Sequence, residues 1–249
     1  MADTLAAARA ELTKLRRVRG TFAALLLFVP LTVLVAALDG WSARNAIDSR
    51  SPLLRPGFTA AQAGLDGVGY GQLALIVFGV LVVSAEYPTG MMRAGLLAVP
   101  RRGRLFAVKV TVPALVVAAV AIPVTVTGYL VTQRALGPHG ASIGASGVPR
   151  ALAGAVVHLT LMTVLAAGLA LCSRNAVVPL AVLLPLVLGR HLFALLGVTR
   201  DVARYLPDQA GARLLTVGAD DAASGAAVLL GWAAVVLLVG YVRHARWDT

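Results

Sequence analysis

Ser146 and His158 are a serine and a histidine that could together support hydrolytic chemistry. Ser146 lies in Gly-Ala-Ser-Gly, residues 144–147, which has the form Gly-x-Ser-Gly found around the nucleophile of some intramembrane proteases. Such a serine needs a histidine as its base. The tetrapeptide belongs to the stretch GPHGASIGASGVP, whose glycine, serine and proline content predicts a linker. We therefore interpret Ser146 as a loop residue and keep an intramembrane serine protease as an alternative.

The other reactive side chains do not form a catalytic or metal-binding pattern. The chain has a single cysteine, Cys172, and no zinc-type grouping of His and Cys. Its two lysines, Lys14 and Lys109, lie outside the Gly-Lys-Ser or Gly-Lys-Thr context of a phosphate-binding loop. His158 could carry a proton, but we favour a neutral side chain hydrogen-bonded to a neighbouring helix. We expect no catalytic residue, metal or cofactor in this chain, so any ATP-driven function must use an ATPase on another chain.

Hydrophobic residues dominate the elements that hold these side chains. Of the 249 residues, 59% are hydrophobic and 13% are charged, against about a quarter charged in soluble domains. The apolar residues form blocks long enough for a helix to cross about 30 Å of hydrocarbon. We predict an all-α integral membrane protein with a single transmembrane domain over residues 1–249. The six predicted spans lie at about 21–38, 68–85, 108–132, 151–172, 176–196 and 222–242.

The first 20 residues predict a cytoplasmic amphipathic helix rather than a signal peptide, because the apolar run that follows has the length of a span. Apolar residues recur at helical spacing, at Leu5, Ala8, Leu12 and Leu15. Such a helix can lie on the membrane surface with its apolar face down and its cations toward anionic lipid. A frayed basic tail is the alternative.

The basic residues predict the orientation of the chain. A formal charge of +11 would suggest nucleic acid as the partner of a soluble protein, but in a membrane protein basic residues gather at the cytoplasmic ends of spans. Thirteen Arg and Lys residues fall on the side that carries both termini, and nine fall on the other. We therefore expect both termini in the cytoplasm, the lipid bilayer as a partner and no nucleic acid.

Two connections on the predicted outer side are long. Residues 39–67 are rich in Pro, Gly and Ser, which predicts irregular loop. Residues 197–221 alternate charged residues with Val, Tyr and Leu. This pattern predicts short outer helices between spans five and six that lie at the interface or re-enter the membrane.

The stretch SAEYPTGMMRAGLLAVPRRGRLFAVKV, residues 84–110, is longer and more basic than a connection between two spans requires. Pro88 and Gly90 break the direction of the second span, and Thr89 can cap a new helix over about 90–99. An apolar surface on such a helix usually marks an interface when it is exposed. Its apolar residues include Met91, Leu96 and Leu97.

This stretch resembles the permease subunits of type-2 ATP-binding-cassette exporters. That family's pattern has an acid, an aromatic residue, two residues that are often Gly-Thr, then Arg, leucines, Pro and a basic run that leads to Lys. Here the pattern stands as Glu86-Tyr87-Pro88-Thr89-Gly90, Arg93, Leu96-Leu97, Pro100-Arg101-Arg102 and Lys109, with Thr-Gly in place of Gly-Thr. The resemblance extends to the predicted architecture and to YLPDQAGARLL, residues 205–215.

The resemblance implies a mechanical role for residues 86–107, the cytoplasmic coupling segment. Its coupling helix would seat in a groove of the ATPase, and Glu86 would hold the hinge, in one arrangement by pairing with basic residues of the N-terminal helix. The residues implied in ATPase coupling are Glu86, Gly90, Met91, Arg93, Leu96, Leu97, Pro100, Arg101 and Arg102. Those implied in an outer gate segment are Tyr205, Leu206 and Pro207. Alternatively, the arginines only set topology and the apolar residues pack against the chain's own helices.

These features together indicate the membrane-spanning subunit of an ATP-driven exporter in the bacterial plasma membrane. The resemblance implies separate ATP-binding-cassette ATPase chains, which would carry the ATP and Mg²⁺, and a second permease, either identical or a paralogue. Alternating access between the two permeases would move the substrate. The apolar spans favour a hydrophobic or amphipathic substrate such as a drug, lipid or peptide. An ATP-independent channel or scaffold is a further alternative.

Overall fold

The computed structural model describes residues 2–51, 54, 57–91, 102–189 and 200–245, and these residues form helices joined by turns, without strands. In chain order the helices are α1 (Ala2–Arg17), α2 (Arg19–Asp48), α3 (Ala60–Asp66), α4 (Val68–Ser84), α5 (Glu86–Thr89), α6 (Arg102–Leu136), α7 (Val148–Ser173), α8 (Val177–Leu188), α9 (Arg200–Ala203), α10 (Pro207–Ala212) and α11 (Ala222–Ala245). Short 3-10 turns follow α6 and α10, at Gly137–His139 and Arg213–Leu215.

Five stretches within the described residues are long and apolar enough to cross a membrane, which confirms the predicted all-α, membrane-spanning character. They are Arg19–Asp48, Ala60–Thr89, Gly103–His139, Val148–Ser173 and Ala222–Arg243. The fifth predicted span, 176–196, is described only in part. Its helix α8 has 12 residues and is about 18 Å long, and residues 190–199 lie outside the described part. The six-span layout stays a prediction.

Helices α4 and α7 form the centre of the bundle. In the most apolar window of each of these two stretches 67% of the residues are buried, against 22% for α11. Helices α2, α6 and α11 pack around this pair. At one contact, between α4 and α7, an added Cβ on Gly79 would lie 2.6 Å from the Thr163 carbonyl oxygen, so glycine is required there. The remaining surface of α2, α6 and α11 is apolar and exposed, as lipid contact requires.

The first and last described helices meet at the same end of the bundle, which we call the α1 end. Helix α1 packs against the start of α6. The rings of Phe106, in α6, and Tyr241, in α11, meet edge to face with centroids 5.4 Å apart. The guanidinium of Arg174, just after α7, donates to the carbonyl of Arg243 at 3.4 Å. Helices α1 and α11 therefore reach the same end of the bundle, and the orientation of the chain in the membrane stays a prediction.

The prediction of irregular loop over residues 39–67 is wrong for much of that range. Helix α2 continues to Asp48, and α3 occupies Ala60–Asp66 with Thr59 as its cap, whose hydroxyl accepts from the Gln62 N–H at 3.3 Å. Polar residues after Leu38 end the hydrophobic block without breaking the helix. Gly40 also allows close contact with α6, because an added Cβ would lie 2.7 Å from the Thr132 carbonyl oxygen.

Helix α1 confirms the helical prediction for the N-terminal segment but divides its apolar residues between two faces. Leu15 is buried against the bundle together with Ala7 and Glu11, whereas Leu5 and Leu12 are exposed. The packed face is therefore not the predicted leucine stripe. The packed face has Glu11 at its centre, because Lys109 of the bundle forms an ion pair with that acid.

Candidate functional site

Four charged side chains meet at the α1 end, where three helices come together. Glu11 and Lys14 are on α1, Glu86 is the first residue of α5, and Lys109 is in the second turn of α6. We call these four residues the ion-pair cluster. Glu86 is only 1% exposed. The pairing of Glu86 with a basic residue of the N-terminal helix, expected from the sequence, is present as an ion pair with Lys14.

Lys109 connects both carboxylates of the cluster. Its Nζ lies 2.9 Å from Glu11 Oε1 and 2.7 Å from Glu86 Oε1, and it also contacts Glu86 Oε2. Lys14 forms ion pairs with the same two acids. Two cations thus alternate with two anions, so the cluster has no net charge. An ammonium group suits this position because it donates three hydrogen bonds in different directions.

The composition of the chain singles out these four residues. The sequence contains two glutamates and two lysines, and all four are in the cluster; the other 20 basic residues are Arg and the other nine acids are Asp. Sequence reasoning used the two lysines to exclude a phosphate-binding loop and to orient the chain, and it placed Lys109 in the family pattern, but it did not predict Glu11 as a partner of either lysine. The rarity of Lys and Glu was the signal that could have found the site.

Burial makes the ion-pair cluster energetically demanding. Burial opposes the ionisation of Glu11, but the charges of Lys109 and Lys14 outweigh that effect and hold the pKa of the Glu11 carboxyl below its usual range. Removing one partner from a buried ion pair costs about 3–5 kcal/mol, because the other charge is left without compensation. The cluster therefore either holds α1, α5 and α6 in one arrangement or loses its ion pairs together.

A tight turn carries the chain from the cluster toward the predicted coupling helix. Gly90 ends α5 with φ 70°, the left-handed region that favours glycine. The helix that Thr89 was predicted to cap lies outside the described residues, so that cap stays a prediction. The Thr89 hydroxyl donates back to the Ala85 carbonyl at 2.9 Å and so closes the turn before it. Met91 is half-buried. Arg93, Leu96, Leu97, Pro100 and Arg101 lie outside the described residues, and of Arg102 only the backbone is described.

At the opposite end, the predicted outer gate segment is folded against the bundle. Tyr205 is exposed, with the Arg204 guanidinium 5.0 Å from its ring centroid. The Tyr205 carbonyl accepts from Trp232 Nε1 at 2.8 Å. Leu206 is half-buried before α10, and the buried Pro207 begins it. One residue of this segment, Asp208, forms a hydrogen bond with α4, and this contact was not predicted.

Asp208 joins two buried polar residues of the central helices. Its Oδ1 accepts from Gln72 Nε2 at 2.9 Å, and Gln72 Oε1 lies 2.7 Å from His158 Nε2. Because the Gln72 carbonyl can only accept, His158 Nε2 carries the hydrogen. The expected hydrogen bond from His158 to a neighbouring helix is confirmed. His158 Nδ1 has no hydrogen-bond partner among the described residues, which fits the neutral side chain that we favoured.

The structure does not bring Ser146 and His158 together. Ser146 lies in the turn before α7 begins at Val148, and His158 is ten residues further along the helix, about 15 Å by helical rise. The histidine nitrogen that bears the hydrogen is engaged by Gln72. The base that the protease alternative needs is therefore out of reach of its serine.

Comparison of the chain with protein-family models and with curated proteins gives no match. A functional assignment for this chain therefore rests on its own residues and their geometry.

Proposed function

We propose that this chain is the membrane-spanning subunit of an ATP-driven exporter whose ATPase is on separate chains. The observation that carries the proposal is the ion-pair cluster. It joins α1 and α6 to Glu86, five residues before the first position of the apolar segment expected to dock on the ATPase. A force applied to that segment would reach two other helices through Glu86.

The cluster suits a mechanical connection because it is both strong and all-or-none. Glu11, Glu86 and Lys109 are buried and Lys14 is partly buried beside them, so a partial displacement of Glu86 would leave at least one charge unpaired. Movement of the docking segment would then carry α1 and the start of α6 with it. In an exporter, this movement would alternate access to a substrate path between two permeases, identical chains or paralogues.

The exposed charges support a cytoplasmic location for the α1 end in a bacterial plasma membrane. Arg9, Arg16 and Arg17 of α1 are exposed at this end, and so are Arg104 and Arg243. Basic residues prefer the cytoplasmic side. The exposed Leu5 and Leu12 could enter the lipid surface beside these arginines. The ATPase, with its ATP and Mg²⁺, would bind from the same side.

The substrate that we propose is hydrophobic or amphipathic, such as a drug, lipid or peptide. The surfaces that α2 and α11 expose along their lengths are dominated by Leu, Val, Phe and Trp. Residues 20–38 of α2 and 222–242 of α11 include no charged side chain, so a substrate that comes from the bilayer meets only uncharged residues along these stretches.

The first experiment is affinity purification of the tagged chain from its native membrane. Wild type is compared with Leu96→Asp, Leu97→Asp and with a matched control, Leu5→Asp, Leu12→Asp, which makes the same change on exposed leucines at the same end. We expect an ATPase to accompany wild type and the control but not the first variant. Absence of an ATPase from all three samples would reject the proposal.

A second variant separates binding of the ATPase from transmission of its movement. Glu86→Gln removes one charge from the cluster and leaves the docking leucines unchanged. We expect ATPase recovery as in wild type, with transport of an amphipathic dye into inside-out vesicles reduced at least tenfold. Transport at the wild-type rate would show that the cluster does not couple.

A further inference from the structure

The segment 200–215 enters the bundle from the end opposite α1. Its α10 packs against α7 and α11, and Asp208 is 2% exposed although it is an acid in a helix of six residues. Gly211 of the same helix packs against His158, which is ten residues, or about 15 Å, along α7 from its start. The segment is thus re-entrant in the bundle rather than placed on its rim.

Short helices cannot hold this position by themselves. Helices α9 and α10 have four and six residues, far below the length at which an isolated helix is stable. The position of the segment is therefore set by its contacts with α4, α7 and α11.

The contacts at the rim are exposed. Arg204 and Asp201 form an exposed ion pair, and Arg213 pairs with the exposed Asp221 at 3.4 Å. Ion pairs in contact with water contribute little, because water competes for both charges. The rim contacts therefore restrain the segment weakly.

The interior contact is different, because three polar side chains depend on one another there. We call Asp208, Gln72 and His158 the polar latch. Gln72 is buried on α4 and His158 on α7, so water does not replace their bonds if Asp208 is withdrawn while the bundle stays closed. A buried donor or acceptor left without a partner costs more than the bond contributes while it is made. Withdrawal of the segment thus has to admit water or leave Gln72 unsatisfied.

Two glycine contacts define the position of α10 against α7 and α11. An added Cβ on Gly211 would lie 2.0 Å from His158 Nδ1, and one on Gly225 of α11 would lie 2.3 Å from the Ala210 carbonyl oxygen. The backbone of α10 therefore rests directly on both helices. If α10 were partly withdrawn, it would lose both of these close backbone contacts. The packed position of α10 is therefore one discrete state.

We propose that the polar latch is the closing device of a gate formed by segment 200–215. With the latch made, the segment seals the end of the bundle opposite α1; when the bond between Asp208 and Gln72 breaks, the segment lifts and water enters above His158. The role of this gate as the substrate exit rests on the proposed export function. The closing role of the latch does not depend on it.

The test measures the access of water to a position beneath the segment. The full chain, in membranes, carries Cys172→Ser, which removes its single cysteine, and Leu229→Cys as reporter. Leu229 is fully buried on α11, and its Cδ2 lies 3.0 Å from an added Cβ on Gly211. The rate of reaction with a membrane-impermeant maleimide is compared between the intact latch and latch variants, without ATPase.

We expect Asp208→Ala and Gln72→Met to raise the labelling rate about tenfold, a factor that corresponds to about 1.4 kcal/mol. Asp208→Asn keeps an acceptor for Gln72 Nε2 and should stay within about twofold of the starting rate. Asp201→Ala removes an exposed acid from the same segment and should leave the rate unchanged. Equal rates for all variants would overturn the proposal, as would an increase with Asp201→Ala as large as that with Asp208→Ala.

A second reporter separates opening of the gate from loss of the fold. Val80→Cys is buried on α4, eight residues beyond Gln72 toward the α1 end, and differs little in size from valine. It should remain unlabelled in every variant. Labelling at both reporters would mean that the bundle has unfolded, and this result counts against a latch.

Addition of the ATPase and ATP distinguishes the latch from the export function. If both proposals hold, ATP raises labelling of Leu229→Cys with the intact latch. If the latch variants respond but ATP has no effect on the intact latch, the export function fails and the latch remains.

Discussion

Lys109→Met tests the ion-pair cluster most directly. The side chains are similar in length, so the substitution removes the charge and leaves most of the packing. In the structure the Lys109 ammonium contacts three carboxylate oxygens, and without it two buried acids would share Lys14 alone. Breaking such a buried pair costs about 3–5 kcal/mol. Because Glu11 is one of the two acids, we expect the loss to appear first as release of α1.

Limited trypsin digestion measures this release. Arg16 and Arg17 are exposed at the end of α1, but cleavage requires the helix to open, so its rate follows the open population when reclosing is fast. A loss of about 3 kcal/mol predicts about a hundredfold faster loss of an amino-terminal tag in Lys109→Met. The control is Arg44→Met, the same type of change in an exposed pair with Asp48, which should alter the rate less than about fivefold.

The double variant Lys109→Met, Glu11→Gln decides whether charge is the cause. It leaves Lys14 paired with Glu86, so the net charge of the cluster returns to zero. We expect most of the protection of α1 to return. Cleavage of Lys109→Met at the wild-type rate would refute the cluster as the main restraint on α1. A double variant as sensitive as the single one would refute the charge argument.

Three further predictions concern α1, Gly90 and Gly211. Because the pKa of Glu11 is lowered in the folded chain, its stabilising contribution is complete above the ordinary value of 4.5 and is lost as pH falls through the folded value; hydrogen exchange of α1 should accelerate there, and Glu11→Gln should remove that dependence. Gly90→Ala should lower the melting temperature by an amount equivalent to about 1 kcal/mol, because φ is 70°, whereas Gly69→Ala, in a helical position with open space around it, should raise it. Gly211→Ala should destabilise by about 1–3 kcal/mol, since its Cβ would lie 2.0 Å from His158 Nδ1; no loss would show that α10 is not seated there.

Hydropathy predicted where the chain is apolar but not where its helices end. Helix α2 runs ten residues past the predicted boundary at Leu38, because Asp39 and the residues after it are polar without preventing helical backbone. The same difference explains α3, which a composition rich in Pro, Gly and Ser concealed. A block of apolar residues reports the depth of lipid, whereas the hydrogen-bonded helix can continue into water.

One pairing in the site was predicted from the resemblance, although its partners are 72 residues apart, and the other pairings were not predicted. Glu86 was expected to meet the N-terminal helix, and it pairs with Lys14. The pairing of Glu11 with Lys109 was not predicted, because the two residues are 98 positions apart and their contact depends on how α1 packs. Gln72 and Asp208 are 136 residues apart; Gln72 is a polar residue in an apolar span but does not identify its partner, and Asp208 is one of several charged residues in its segment. Only the three-dimensional packing of α10 brings them together.

The pairing of both lysines with carboxylates has a chemical consequence. Lys14 and Lys109 supply all the ε-amino groups of the chain, and both are held as ammonium ions between carboxylates. An amine-reactive reagent must reach the amine nitrogen, and both nitrogens are in contact with carboxylates, so these side chains should resist acylation for as long as the four charges stay together. Each opening event at this end would expose two nucleophiles in a protein whose remaining cations are arginines. Acylation would make the event irreversible, so the acylated fraction would record how many molecules have opened at least once.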